Sequence, residues 1–247
     1  MPQARLSLDH VSNAISQINQ CTDEFSIHNL LRTILPSLGA ESYFYITLLN
    51  NEHLKGYKNH RFFIGCAPQF SQLYSHRKWF MVDPYIEYSR TNSAVVCDDR
   101  IPLRSRGQLD MRKAAADYGF KSLVVVPSHS GSLDRFGVLY LGSEMAPKRG
   151  NPLMMTNRIL FRSIGMELLD WWALKIKAEM MSKFELTENE VALLKFHRNG
   201  YRARDVADEL DISLKTVHNR MRILKEKFEV DSISAALRFA VSHGVLE

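Results

Sequence analysis

The chain has 247 residues, room for two modest domains. Hydrophobic residues make up 45% and charged residues 24%, a globular composition that excludes a disordered chain; no apolar run reaches the length a membrane span needs. The formal charge of +5 is unevenly placed, because residues 184–247 hold ten Lys or Arg against eleven Asp or Glu and the basic excess lies upstream.

The opening Met1-Pro2-Gln3-Ala4-Arg5-Leu6 lacks the apolar core of a secretory signal. Cys21, Cys66 and Cys97 are far apart, odd in number and free of any CxxC pair. They suit neither a disulfide framework nor a zinc site. The expectation is a protein of the reducing cytoplasm with no metal, no cofactor and no membrane partner.

Residues 9–38 hold two apolar periodic stretches. In the second, Phe25, Ile27, Leu30, Leu31, Ile34, Leu35 and Leu38 follow helical spacing, and Gly39 stops the run. Residues 42–49 are aromatic and β-branched and predict a strand, as do 61–64, 123–127 and 136–141. Ser128-His129-Ser130-Gly131-Ser132 reads as a hairpin connection between the last two. A mixed region, 68–118, ends in a helix over 108–118 closed by Gly119, and a long helical segment is expected over 151–177. Strands and helices do not alternate as βαβ units. The N-terminal part is therefore expected to be an α+β domain, an α-β-α sandwich with a mainly antiparallel sheet. Residues 173–184 are expected to connect this domain, 1–172, to a second one at 185–247.

The C-terminal segment opens on a capping box, Thr187 with Glu190 three residues on. A helix follows to Asn199-Gly200, a short helix over 203–210, the turn Asp211-Ile212-Ser213, a longer helix over 214–228 and a fourth over 232–243. Val217, Met221, Leu224 and Phe228 form one stripe of the third helix. Lys215, His218, Asn219, Arg222 and Lys225 occupy the other face. A short helix, a three-residue turn and a basic helix are the parts of a helix-turn-helix, with the second helix in the major groove of double-stranded DNA. Arg suits guanine and Asn adenine, so His218, Asn219 and Arg222 are expected to read base edges. Lys215, Thr216 and Arg220 are better placed for phosphates. A four-helix bundle with a solvated charged face would show the same residues.

Leu186-Thr187-x-x-Glu190-x-x-x-Leu194, Gly200, Val206-Ala207-x-x-Leu210-x-Ile212-Ser213-x-x-Thr216-Val217 and Lys227-Phe228 resemble the LuxR-type DNA-binding domain. Asn189 stands where the family usually has Arg, and Ser232-Ile233-Ser234 where an Asn-Arg pair is common. Upstream, Phe70-x-x-x-Tyr74, then Asp83-Pro84, resembles the Trp-x-x-x-Tyr and Asp-Pro signature of the autoinducer-binding domain of quorum-sensing regulators. Gly119-Phe120 and Phe136-Gly137-Val138-Leu139-Tyr140 resemble its second half. The resemblance implies a homodimer, an inverted-repeat DNA target, and a small-molecule signal, an acyl-homoserine lactone or another ligand. It implies a ligand site made of Phe70, Tyr74, Asp83, Tyr85, Cys97 and Tyr140, and makes the fourth C-terminal helix, through Ala235, Ala236, Phe239 and Ala240, a dimerisation surface; plain core packing would use the same residues equally well.

Asp83 would accept a hydrogen bond from a ligand amide, and Phe70 and Tyr74 would wall an apolar tail. Asp83-Pro84 also suits a turn or a helix cap, and Phe70 and Tyr74, four apart, also suit a core-facing helix stripe. Several positions depart from lactone receptors. Phe70 replaces a donor-bearing Trp, Cys66 a Tyr, Leu123 a Gly, and Cys97 or Asp98 falls where a second Trp packs the lactone ring. The expected ligand is accordingly a different or unusual one, or none. No Ser/His/Asp, Cys/His or metal-spaced cluster appears, and His53, His60, His76 and His129 are scattered, which argues against an enzyme. The expected function is a ligand-responsive, dimeric transcription regulator. The alternative is a ligand-independent regulator whose N-terminal domain dimerises or binds another protein.

Overall fold

Two helices capped by short polar side chains lead into the first strand of the computed structural model, which describes residues 7–49, 60–131 and 135–246. Met1–Leu6, His53, Ser132 and the terminal Glu247 lie outside them. Ser7 caps α1 (Leu8–Ser16) and Asp23 caps α2 (Glu24–Ile34). A 3-10 turn over Leu35–Leu38 follows, and Gly39 turns the chain at φ 88°. The buried face of α2 is Ile27, Leu31 and Ile34, whereas Phe25 is 72% exposed. The periodic run thus overstated its apolar stripe by one residue, because Phe25 points away from the face that Ile27, Leu31 and Ile34 bury.

Five strands form one sheet among the described residues: β1 (Ser42–Leu49), β2 (Arg61–Gly65), β3 (Val96–Cys97), β4 (Ser122–His129) and β5 (Arg135–Ser143). Their order is β2-β1-β5-β4-β3, and every neighbouring pair is antiparallel. The two-residue β3 was too short for a period to show in the sequence. Register pairs Phe44 with Tyr140 and Tyr140 with Val125, so these side chains share a face. That face packs on α3 (Pro68–His76), α4 (Pro84–Thr91) and α5 (Arg106–Asp117) through Phe70, Tyr74, Tyr85, Ile86, Met111 and Ala115.

The opposite face carries Tyr43, Val124, Val126, Leu139 and Leu141, all buried. His28 of α2 hydrogen-bonds the Tyr43 hydroxyl there at 2.6 Å. Gly165 comes so near Val126 that an added Cβ would meet it at 3.2 Å. Helices thus cover both faces, as the patterning required. The long helical segment is two helices, α6 (Pro147–Met155) and α7 (Arg158–Lys183). They part at Asn157, whose side-chain amide donates to the Leu38 carbonyl at 3.0 Å.

The chain divides into two compact units between Trp171 and Trp172. Of residues 173–184, expected as a connecting segment, all but Phe184 are the last turns of α7, and Met180, Met181 and Phe184 pack on the C-terminal core. That core joins α8 (Glu188–Arg198), α9 (Ala203–Glu209), α10 (Leu214–Lys227) and α11 (Ile233–Ser242) through Val191, Leu194, Val206, Val217, Leu224 and Ala236.

Candidate signal site and nucleic-acid interface

α3 starts at Pro68, where a missing N–H costs nothing, and its four-residue spacing turns Phe70 and Tyr74 to one side. Both are buried. Asp83 then caps α4. Its Oδ1 accepts the backbone N–H groups of Tyr85 at 2.8 Å and Ile86 at 3.4 Å. Its Oδ2 accepts the hydroxyls of Tyr74 at 2.6 Å and Tyr140 at 2.9 Å. The helix-cap and core readings of these residues are therefore met together with their convergence. Burial pushes the Asp83 carboxyl above its ordinary range, and the two tyrosines and two N–H groups oppose that rise. Burial and the Asp83 charge both push the Tyr140 hydroxyl up.

Phe44, Met111, Ala115, Phe120 and Leu123 complete the walls. The Phe44 ring lies 5.0 Å from Tyr74 and 5.6 Å from Tyr140, and Phe70 lies 5.5 Å from Phe120. Packing leaves a cavity of only about 10 Å³, close to the least that holds one water. The hydroxyl of Tyr85 is buried at this wall and has no hydrogen-bond partner among the described residues.

Phe70, Tyr74, Asp83, Tyr85 and Tyr140 thus come together. Cys97 does not join them. It pairs with Val124, while its neighbour Val96 pairs with Val125. Strand alternation puts Val96 on the Tyr140 face and Cys97 on the other. Burial raises the Cys97 thiol to about 11. Asp98 is also taken up elsewhere. Arg112 binds its carboxylate and donates to the carbonyls of Phe120 at 2.9 Å and Lys121 at 2.7 Å, fixing the turn that delivers Phe120. Sequence reasoning left out Phe44, Phe120, Met111 and Ala115 as wall residues. Alternation along β1 selects Phe44, but only the register with β5 tells which face is the site's.

In the C-terminal unit the capping box forms as its spacing required. The Glu190 backbone N–H donates to Thr187 Oγ1 at 3.3 Å, and the Thr187 N–H to Glu190 Oε2 at 2.8 Å. Lys227 reaches the same Glu190 oxygen at 2.8 Å. Burial pushes the Glu190 carboxyl up, but Lys227 and Thr187 more than offset this and hold it below its ordinary value. Ser213 caps α10 by accepting the Thr216 N–H at 3.1 Å. Lys215, His218, Asn219 and Arg222, spaced three or four apart, are exposed along one face of α10. Thr216 and Arg220 flank that face and are half-buried. The Thr216 hydroxyl meets the Ser213 hydroxyl at 2.8 Å. Arg222 is held by Asn219 Oδ1 at 3.0 Å and by Glu226 Oε1.

The sequence profile described as the autoinducer binding domain matches residues 23–156, more than half of the chain, and that described as bacterial regulatory proteins, luxR family, matches 185–240. The chain belongs to the LuxR-type regulators. These are transcription regulators and not enzymes, with a signal-binding domain and a helix-turn-helix DNA-binding domain. No curated protein matches this LuxR-type chain significantly in sequence. Among solved structures, SdiA in complex with octanoyl-rac-glycerol aligns over 95% of the chain and 94% of its own length at 13% identity, with TM-score 0.65. Escherichia coli SdiA aligns over 97% and 99% at 15% identity, with TM-score 0.66. CepR2 from Burkholderia cenocepacia, an N-acylhomoserine lactone dependent LuxR family factor, aligns over 64% and 90% at 13% identity, with TM-score 0.52. At these identities the likeness is one of fold. Among the described residues no helix is long and apolar enough to cross a membrane, and no group of His, Cys, Asp and Glu could hold a metal ion.

Proposed function

We propose that this LuxR-type regulator is a cytoplasmic homodimer that binds an inverted-repeat DNA site and answers to a small signal molecule other than a standard acyl-homoserine lactone. The sensor domain is placed at 1–172, the connecting segment at 173–184 and the DNA-binding domain at 185–247. The observation that carries the reading is the Asp83 carboxylate, buried between Tyr74 and Tyr140 on the aromatic face of the sheet. Even hydrogen-bonded, a carboxylate sunk among aromatic rings is a costlier core residue than an apolar one, so its placement supports use. Phe70 offers no N–H to a lactone carbonyl. The free donor at the wall is the Tyr85 hydroxyl, which suits a ligand with an acceptor near the ring of Tyr140. Such a ligand opens the cavity by displacing side chains. SdiA has a structure in complex with octanoyl-rac-glycerol and CepR2 is N-acylhomoserine lactone dependent, so both chemistries belong in the test.

The second reading, a ligand-independent regulator, is favoured by one observation: Asp83 is already fully bonded within the chain and the surrounding cavity is about 10 Å³. Mass spectrometry of small molecules released from the purified chain, with thermal melting against acyl-homoserine lactones and octanoyl glycerol, decides between them. A non-lactone molecule carried by the wild type and lost from Tyr85→Phe supports the first reading. A large shift with an ordinary lactone refutes its ligand class. No carried molecule and no shift, with DNA binding intact, supports the second.

A further inference from the structure

The larger opening in the N-terminal unit is not on the Asp83 face of the sheet. That face is packed down to a cavity of about 10 Å³. Beside the opposite face, between α2 and the edge strand β2, a cavity of about 620 Å³ remains. Small-molecule sites occupy roughly 300–1,000 Å³.

Local geometry shapes the walls. His28, Leu31, Arg32 and Leu35 follow one another at spacings of three, one and three, so α2 presents them on one side. Leu31 and Leu35 are buried and give an apolar wall. The sheet gives the floor. Tyr43 of β1 pairs with Gly65 of β2, and its ring lies so close that a Cβ added at Gly65 would meet it at 2.0 Å. A strand glycine often marks such a close approach.

The polar groups here are only partly used by the chain. Tyr43 and His28 Nδ1 are hydrogen-bonded at 2.6 Å. Burial pushes the Tyr43 hydroxyl up, and burial with the Arg32 charge pushes the His28 ring down. At neutral pH the hydroxyl therefore keeps its proton and the ring is uncharged. With the Tyr43 O–H donating to Nδ1, the ring proton sits on Nε2, which has no partner among the described residues. Arg32 is exposed and makes no ion pair or hydrogen bond among them either. Glu41, the other charge bordering the cavity, accepts the Glu144 backbone N–H at 3.2 Å. The unspent groups are thus a cation and an N–H donor beside an apolar wall, which suits an anionic head on an apolar body.

We propose that this cavity is a second small-molecule site for an amphipathic carboxylate, its head on Arg32 and the His28 Nε2–H and its body on Leu31, Leu35 and the Tyr43 ring. Tyr43 precedes Phe44, a wall of the Asp83 face, so the two sites lie on opposite sides of one strand. Occupancy of this one does not depend on whether the Asp83 face takes a ligand.

The test titrates the full chain by calorimetry with 3-phenylpropionate and octanoate, and with the corresponding neutral amides. The wild type is expected to bind a carboxylate about threefold to tenfold more tightly than its amide. Arg32→Gln should abolish that difference. Glu41→Gln removes a like charge and keeps an acceptor for the Glu144 N–H, so it should widen the difference. Both variants are first matched to the wild type in thermal melting. Nuclear magnetic resonance of the histidine rings locates the ligand: the His28 signal, assigned from its loss in His28→Gln, should shift on saturation. No saturable binding of either carboxylate below about 1 mM overturns the proposal. So does equal affinity for acid and amide, or a His28 signal that stays still. If Arg32→Gln strengthens binding and Glu41→Gln weakens it, the head is cationic and the ligand class is wrong. If Tyr85→Phe weakens binding and Arg32→Gln does not, the carboxylate sits on the Asp83 face and the second site is overturned.

Discussion

The Tyr140 hydroxyl donates to Asp83 Oδ2 at 2.9 Å and ties β5 to the first turn of α4 across 57 residues. Tyr74 donates to the same oxygen. Removing one donor leaves a buried carboxylate underbonded, so Tyr140→Phe is expected to cost about 1.5–3 kcal/mol, the worth of a hydrogen bond to a charged group. Urea denaturation near neutral pH measures it. An unchanged midpoint would show that the Tyr140 hydrogen bond contributes nothing net to stability.

The same carboxyl gives a pH prediction. Burial raises it in the folded chain above its ordinary 3.8, so ionising it is harder folded than unfolded. Its contribution is therefore greatest below the ordinary value and declines as pH rises through the folded value. Asp83→Asn should remove that part of the pH dependence, seen as a flatter profile of melting temperature against pH. The full decline persisting in Asp83→Asn would locate it in another group.

Arg112 joins three partners on the α5–β4 turn: Asp98 and the carbonyls of Phe120 and Lys121. Asp98 is 8% exposed. Arg112→Met strands that carboxylate, and breaking such a pair from one side costs about 3–5 kcal/mol. Asp98→Asn in the same chain should recover part of the loss, because no charge is then stranded. A double-mutant cycle in denaturant reads the coupling, and additive losses would show that the pair is not coupled.

Glu190 behaves oppositely to Asp83. Its carboxyl is held below its ordinary 4.5 despite burial, by Lys227 and Thr187. The stability it contributes is present above 4.5 and lost as pH falls through the folded value. Lys227→Met should destabilise the C-terminal unit by about 2–4 kcal/mol at neutral pH and shrink its acid sensitivity. Melting curves of wild type and variant should converge as pH drops. Parallel curves down to acid would refute the linkage.

What the sequence disclosed was what local chemistry decides. Gly39 ends its helical run because only the chain's own turn geometry is involved, and Thr187 and Glu190 form their box within three residues. The pairing of Asp83 with Tyr140 is non-local, so nothing near Asp83 announces it. Cys97 was misplaced for a related reason. A strand's two faces are interchangeable in sequence, and only its register against Val124 assigns them. Phe25 fits a helical period and still faces outward, since periodicity does not say where a stripe ends.

Arg222 is the α10 residue whose loss should be most selective. It shares an exposed face with Lys215, His218 and Asn219, and Asn219 and Glu226 hold its guanidinium. Both partners are on its own helix, and the Glu226 pair is more than half exposed on each side, so giving them up for a base edge costs little. A bidentate guanine contact discriminates by about 1–3 kcal/mol per base pair. Arg222→Ala should therefore relax preference at one position of each half-site and weaken a duplex that the wild type enriches from a randomised inverted-repeat pool far more than a scrambled one. Glu226→Gln frees the guanidinium and removes a negative charge beside the DNA, so it should tighten both duplexes modestly and leave the preferred base unchanged. Competition binding with duplexes altered one base pair at a time distinguishes the two. If Arg222→Ala weakens every duplex equally, Arg222 takes a phosphate, and reading passes to His218 and Asn219.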